Sequence, residues 1–139
     1  MSKSNIVCML DFPQYGDDRG NLVVIEALTN IPFMIKRIFY IYGSKNEIVR
    51  GNHANRITEF VLINVAGKSK VKILDKEGEE QVFTLDQPNQ GLYLPPMVWK
   101  EMYDFSSDAV LLVLASQPYL SDEYIRDYES FVKEVNCDV

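Results

Sequence analysis

Arg50-Gly51-Asn52-His53-Ala54-Asn55-Arg56-Ile57-Thr58-Glu59 runs directly into Phe60-Val61-Leu62-Ile63-Asn64-Val65-Ala66-Gly67, and the reading of this stretch decides the fold. Its second half is an apolar run closed by a turn-forming glycine, the mark of a strand that ends in a hairpin. In its first half His53 and Asn55 stand two residues apart, so an extended backbone puts both on one face. Similar runs follow along the chain at Ile6 to Leu10, Leu22 to Glu26, Ile35 to Tyr42, Glu59 to Val65, Lys70 to Leu74, Gln81 to Leu85, Gly91 to Leu94, Val98 to Asp104 and Val110 to Ala115. Lys70-Val71-Lys72-Ile73 shows the clearest alternation, lysines to water and Val and Ile to a core. Turn residues fall between the runs at Ala66-Gly67-Lys68, Asp75-Lys76-Glu77-Gly78 and Gln87-Pro88-Asn89-Gln90. So many short strands in a chain of 139 residues predict an all-β barrel or sandwich.

Only the end of the chain predicts a helix, over about 121–135. Tyr124, Tyr128, Phe131 and Val135 form one stripe, Ser121 is placed to cap, and Asp122 and Glu123 suit the positive end of the helix dipole. The length fits a single domain spanning residues 1–139 with one core. The formal net charge of −6 argues against nucleic acid as a partner. A small anionic ligand is compatible with it, because a few arginines or lysines reverse the potential of one pocket. Apolar stretches such as Ala109 to Ala115 fall far short of the roughly 20 residues of a membrane span, and the first residues lack a signal-peptide layout. The expectation is a cytoplasmic protein with no membrane partner, in which Cys8 and Cys137 are free thiols.

The opening stretch resembles the first cupin motif, a glycine, an H-x-H pair, a glutamate and a later glycine. Pro88-Asn89-Gln90-Gly91-Leu92-Tyr93-Leu94-Pro95, leading to Trp99, resembles the second. The resemblance implies a cupin, or jelly-roll, β-barrel with a C-terminal amphipathic α-helix. Metal-binding cupins use the H-x-H spacing to aim two imidazoles inward. In this chain the second histidine position is Asn55 and the later ligand position is Lys100, whose ammonium repels a cation, so only His53 and Glu59 of the usual ligands remain. No metal and no cofactor are expected.

The sequence is also similar to the sugar 3,4-ketoisomerases that act on thymidine-diphosphate-linked 4-keto-6-deoxyglucose. The matching pieces are Asp18-Arg19-Gly20-Asn21-Leu22, Glu26, Ile31-Pro32-Phe33, Ile35-Lys36-Arg37, Arg50-Gly51-Asn52-His53-Ala54, Gly91-Leu92-Tyr93 and Val98-Trp99-Lys100-Glu101-Met102. Asp104-Phe105-Ser106-Ser107-Asp108, Val113-Leu114-Ala115-Ser116 and Asp122 to Arg126 complete the series, which spans most of the chain in order. The resemblance implies a homodimer of barrels of the deoxysugar-epimerase superfamily, metal-free, with a thymidine diphosphate sugar in each pocket. It also implies an isomerisation that moves a ketone from C4 to C3 through an enediol, ahead of an aminotransferase that makes a 3-amino-3,6-dideoxy sugar.

An imidazole suits such proton transfer because its unperturbed pKa is about 6.5, and His53 is the candidate base. Arg50, Asn55 or Lys100 would stabilise the enediolate oxygens. Arg19, Arg37 and Arg50 are candidates for the diphosphate. Glu59, Trp99 and Tyr103 complete the predicted binding set, while Tyr93, Phe39, Tyr42 and Trp99 are expected mainly as barrel lining, with one of them free to stack on thymine. The family carries a second histidine where this chain has Asn55, and an amide does not shuttle protons. If that histidine moves a proton between the sugar oxygens, Tyr40, Tyr103, Lys100 or a water takes its place here. Arg19 and Lys100 are expected to border the face that sets the C4 configuration, with galacto favoured. Three rivals stand beside this reading: a non-catalytic nucleotide-sugar-binding or partner protein, an epimerase of the same superfamily, and, last, a metal-dependent oxygenase.

Overall fold

The structure, a computed structural model, describes residues 6–45 and 47–137. Each of the nine predicted runs overlaps a strand, though the run from Leu22 to Glu26 does so only at Leu22 and Val23, and the described residues contain three more strands. In chain order they are β1 (Cys8–Asp11), β2 (Gln14–Asp17), β3 (Gly20–Val23), β4 (Arg37–Tyr42), β5 (Arg50–Asn55), β6 (Phe60–Ala66), β7 (Ser69–Leu74), β8 (Glu80–Leu85), β9 (Gln90–Leu94), β10 (Trp99–Tyr103), β11 (Val110–Ala115) and β12 (Tyr124–Ile125). They form two five-stranded sheets, ordered β1-β9-β6-β11-β4 and β12-β5-β10-β7-β8, with antiparallel pairing throughout. A separate two-stranded ribbon is formed by β2 and β3. Sequence neighbours repeatedly fall in opposite sheets, as the jelly roll requires.

Alternation along the strands sorts the apolar residues into three layers. Phe60, Leu62, Leu92, Leu94, Leu111 and Val113 of the first sheet meet Val71, Leu85 and Met102 of the second in the central core. The outer face of the first sheet, with Val61, Ile63, Tyr93 and Leu114, is covered by Phe12, Ile31 and Phe33. On the outer face of the second sheet, Ala54, Trp99 and Ile125 pack against Phe131 of the C-terminal helix. The predicted pattern at β7 holds: Val71 is fully buried, while Lys72 turns outward to Glu101 and Glu80.

The C-terminal helix differs from its predicted bounds. Helix α1 covers Tyr128–Cys137, whereas Ser121–Glu123 is a single 3₁₀ turn and Tyr124–Ile125 forms β12 against Asn55 and Ala54. The cap is Asp127, whose carboxylate accepts from both the backbone N–H and the hydroxyl of Ser130, at 3.0 and 2.9 Å. Ser121 makes no capping bond at the 3₁₀ turn, which follows Leu120. Of the predicted stripe, Tyr128, Phe131 and Val135 lie on the helix and pack on the sheet, while Tyr124 serves elsewhere. Cys8 and Cys137 are free thiols, and no helix among the described residues is long and apolar enough to cross a membrane.

Candidate active site

A cavity of about 160 Å³ opens between the two sheets. Phe39, Ile41, Phe60, Leu62 and Val113 line it from the first sheet, and Arg50, His53, Lys100 and Met102 line it from the second, with Tyr124 at its side. A larger surface groove, about 570 Å³, lies between the β7–β8 hairpin and α1 and contains none of the predicted site residues.

The local fold of β5 explains why Arg50 and His53 line the same cavity although three residues separate them. Simple alternation would send them to opposite faces. Lys100 pairs with His53, Glu101 with Gly51 and Met102 with Arg50, so Asn52 is an extra residue, a β-bulge. Directly paired residues share a face, and Lys100 and Met102 both point inward, hence so do His53 and Arg50. The bulge demands left-handed backbone at Gly51 (φ 90°) and Asn52 (φ 57°). Gly51 also lets β10 approach closely, since a Cβ there would lie 3.0 Å from the Lys100 carbonyl oxygen.

Behind the cavity lies a buried polar chain. Glu123 is 5% exposed, yet its carboxylate accepts four hydrogen bonds: from the N–H groups of Ile57 and Thr58 (2.9 and 3.1 Å), the Thr58 hydroxyl, and Asn55 Nδ2 (2.9 Å). Burial pushes its pKa up, but these donors together hold it below the usual carboxylate value. An ionised carboxylate only accepts, so the Asn55 amide must turn its NH₂ to Glu123 and its oxygen away. That oxygen accepts from Lys100 Nζ at 3.2 Å. Lys100 is almost fully buried, and its amine also lies 4.7 Å from the centre of the Phe60 ring. Burial lowers its pKa to about 7, with the Glu123 charge opposing the shift.

His53 Nδ1 lies 3.0 Å from the Gly51 carbonyl oxygen, which can only accept, so the neutral ring carries its proton on Nδ1 and leaves Nε2 as a free lone pair. Its ring packs 4.9 Å from that of Tyr124, which Arg126 covers on another side. Burial lowers the imidazole pKa to about 4; repulsion from Lys100 and Arg126 contributes, while the Gly51 carbonyl and Glu123 oppose it.

Of the predicted site residues, His53, Asn55, Lys100 and Arg50 come together. Arg37 lies beside the cavity, its guanidinium 5.3 Å from the ring centre of Phe39 and 5.7 Å from that of Tyr119. Its Nε and Nη2 are buried and have no hydrogen-bond partner among the described residues. The others stand apart. Tyr40 is on the outer face of the first sheet, 62% exposed. Trp99 is locked between the second sheet and α1, against Tyr128 and Phe131. Tyr103 shares that outward face, beside Lys72. Glu59 accepts from Tyr93 Oη at 2.6 Å on the covered side of the first sheet. Arg19 sits on the exposed β2–β3 ribbon, paired with Asp17. Alternation about Lys100 was enough to exclude Trp99 and Tyr103 from the cavity. Glu123 and Tyr124, both central to the site, were read as helix residues; an Asp127-x-x-Ser130 cap was the signal that would have freed them.

Among the described residues no three His, Cys, Asp or Glu side chains converge as a metal site would require. An imidazole and a buried amine on paired strands of a jelly-roll barrel define a cupin of the small-molecule-binding kind, with groups suited to proton transfer. The chain belongs to the FdtA family (WxcM-like, C-terminal), whose sequence profile matches residues 5–136. It is 48% identical over 127 residues, 91% of each chain, to the TDP-4-oxo-6-deoxy-alpha-D-glucose-3,4-oxoisomerase of Aneurinibacillus thermoaerophilus. The crystal structure of a 3,4-ketoisomerase from Helicobacter canadensis superposes with a TM-score of 0.90 at 42% identity, covering 94% of this chain and 97% of that one. The sugar 3,4-ketoisomerase QdtA from Thermoanaerobacterium thermosaccharolyticum, solved in complex with TDP, gives 0.91 at 39% identity, with 95% and 96% covered. These relatives are isomerases.

Proposed function

We propose that this chain is a sugar 3,4-ketoisomerase that converts TDP-4-keto-6-deoxyglucose to the 3-keto isomer through an enediol, with His53 as the base at C3. The observation that carries the reading is the imidazole itself, with Nδ1 committed to a backbone carbonyl and Nε2 unprotonated, beside an interior cavity. A pKa near 4 keeps that nitrogen free of protons across the neutral range. The negative charge of a bound diphosphate and of a forming enediolate raises it, which makes the base stronger when substrate is present. Arg50 in the cavity lining and Arg37, two of whose buried donors lack partners among the described residues, suit the diphosphate, because a guanidinium with spare donors pairs with phosphate oxygens.

A homodimer suits the surface. Ile38, Tyr40 and Tyr42 leave an apolar stripe exposed on β4, which pairs only with β11 among the described residues. The β2–β3 ribbon presents Tyr15 and Leu22 to solvent, and an isolated two-stranded ribbon has marginal stability without a partner. Free thiols at Cys8 and Cys137 accord with a cytoplasmic setting, where the product would pass to an aminotransferase acting on the new ketone.

The test is incubation with TDP-4-keto-6-deoxyglucose in heavy water, followed by NMR. The expected result is deuterium at C4 of the 3-keto product and at C3 of the 4-keto sugar that reverts, with formation of product and both labels abolished in His53→Ala. Binding of the sugar without exchange or product would instead favour a non-catalytic nucleotide-sugar-binding protein.

A further inference from the structure

The isomerisation moves two protons, one from C3 to C4 and one from the oxygen on C3 to the oxygen on C4. The geometry points to a division of this labour: His53 moves the carbon-bound proton, and Lys100 is the catalytic residue that moves the oxygen-bound one, its amine aimed by Asn55. This inference rests on the ketoisomerase reading above.

Three observations carry it. First, Lys100 and His53 are directly paired across β5 and β10 and line one cavity, so both side chains face the same enclosed space. Second, Lys100 has one polar partner among the described residues, Asn55 Oδ1, and the Phe60 ring beside it offers no lone pair, so an ammonium keeps N–H donors to spare for a ligand. Third, the direction of that bond is forced. Glu123, saturated with donors, fixes the amide, and the amide oxygen fixes the amine whether it is charged or neutral. Asn55 thus transmits orientation and carries no proton. The tyrosines considered for this task, Tyr40 and Tyr103, stand outside the cavity.

The step balances. His53 Nε2 removes the C3 proton as the C4 carbonyl becomes an enol, and the Lys100 ammonium gives a proton to the C4 oxygen. The neutral amine then takes the proton from the C3 hydroxyl as that carbon becomes the ketone, while the imidazolium returns its proton to C4. Both groups finish as they began. A lysine in water holds its proton too tightly for this exchange, whereas a buried one, with Glu123, His53 and Arg50 as its charged or titratable neighbours, is poised near neutrality.

The test compares the wild-type chain with Lys100→Met, which removes the amine, and Lys100→Arg, which keeps a cation that does not titrate. Both variants are expected to lose about a hundredfold or more in kcat. The wild-type kcat/KM profile should fall on the alkaline side of about pH 7, and Lys100→Arg should lack that limb. Purely electrostatic or structural action by Lys100 predicts instead that Lys100→Arg retains most turnover; activity within about threefold of wild type would overturn the inference while leaving the ketoisomerase intact. Wild-type chain that neither exchanges nor isomerises the sugar would overturn both. Buried-lysine replacement by methionine is compatible with folding, and unfolding curves of each variant establish that it has folded.

Discussion

Replacing Lys100 with Met should stabilise the chain at neutral pH and erase a rise in stability that the wild type shows in alkali. Unfolded, Lys100 holds its proton up to about pH 10.5; folded, burial brings this down to about 7. Between those values the unfolded chain binds more protons than the native one, so the free energy of unfolding climbs with pH. At about 1.4 kcal/mol for each tenfold change, the native state bears a cost of about 5 kcal/mol below pH 7. About 3 kcal/mol of that is recovered between pH 7 and pH 9.5. Methionine removes the cost but leaves the Asn55 oxygen unpaired, a loss of about 1–3 kcal/mol. At pH 7, where the folded amine is half titrated and the cost is about 4 kcal/mol, the net expectation is a gain of about 1–3 kcal/mol for Lys100→Met. Urea unfolding of both proteins at pH 7 and pH 9.5 measures this, and the difference between them cancels groups they share, such as Cys8 and the tyrosines. A wild type whose advantage from pH 7 to 9.5 is no greater than that of Lys100→Met would refute the claim that this amine is desolvated.

Three other substitutions probe the framework. Glu123→Ala strips the acceptor from Ile57 N–H, Thr58 N–H and the Asn55 amide, and should destabilise by about 3 kcal/mol or more in thermal unfolding while also disordering Lys100. Gly51→Ala places a Cβ 3.0 Å from the Lys100 carbonyl oxygen on a backbone with φ of 90°, and should cost about 1–3 kcal/mol and lower kcat through a displaced His53. Trp99→Ala, by contrast, should cost about 3–5 kcal/mol in urea unfolding with KM for the sugar unchanged at low temperature, since the indole packs on α1 and not in the cavity; a large rise in KM with stability unaltered would return Trp99 to the binding set.

The strands were legible because their cause is local. Period-2 alternation and turn residues at Gly67 and Gly78 carry the information in the chain itself, and each predicted run overlaps a strand, least well at Leu22 to Glu26. The departures at Asn55 and Lys100 were legible for the same reason, as residue types at motif positions. The bulge at Asn52 was not, because it is defined by a partner strand 47 residues or more along the chain, and only pairing with Lys100 and Met102 shows that Arg50 and His53 share a face. Glu123 was missed through competition between two readings of one segment. Acidic residues before a helical stripe suit a helix dipole, yet the energy of four hydrogen bonds to one buried carboxylate exceeds the few tenths of a kcal/mol that a dipole offers. Tyr124 then follows Glu123 into β12, and the helix waits for Asp127.

The two positions at which the metal-binding pattern of the cupin is broken are bonded to each other, although 45 residues separate them. Among the described residues Lys100 makes no direct pair with a carboxylate: Glu123 is one amide away, and Asn55 spans the gap with one end suited to each. A carboxylate in contact would hold the amine firmly protonated; an apolar neighbour would leave its N–H groups orphaned. The intermediate arrangement leaves the proton weakly held, which is costly to the fold at neutral pH and necessary for any group that must both give and accept within one turnover. Stability forgone and proton mobility gained at Lys100 therefore have a single cause, the burial of an amine whose counter-charge is kept at second hand.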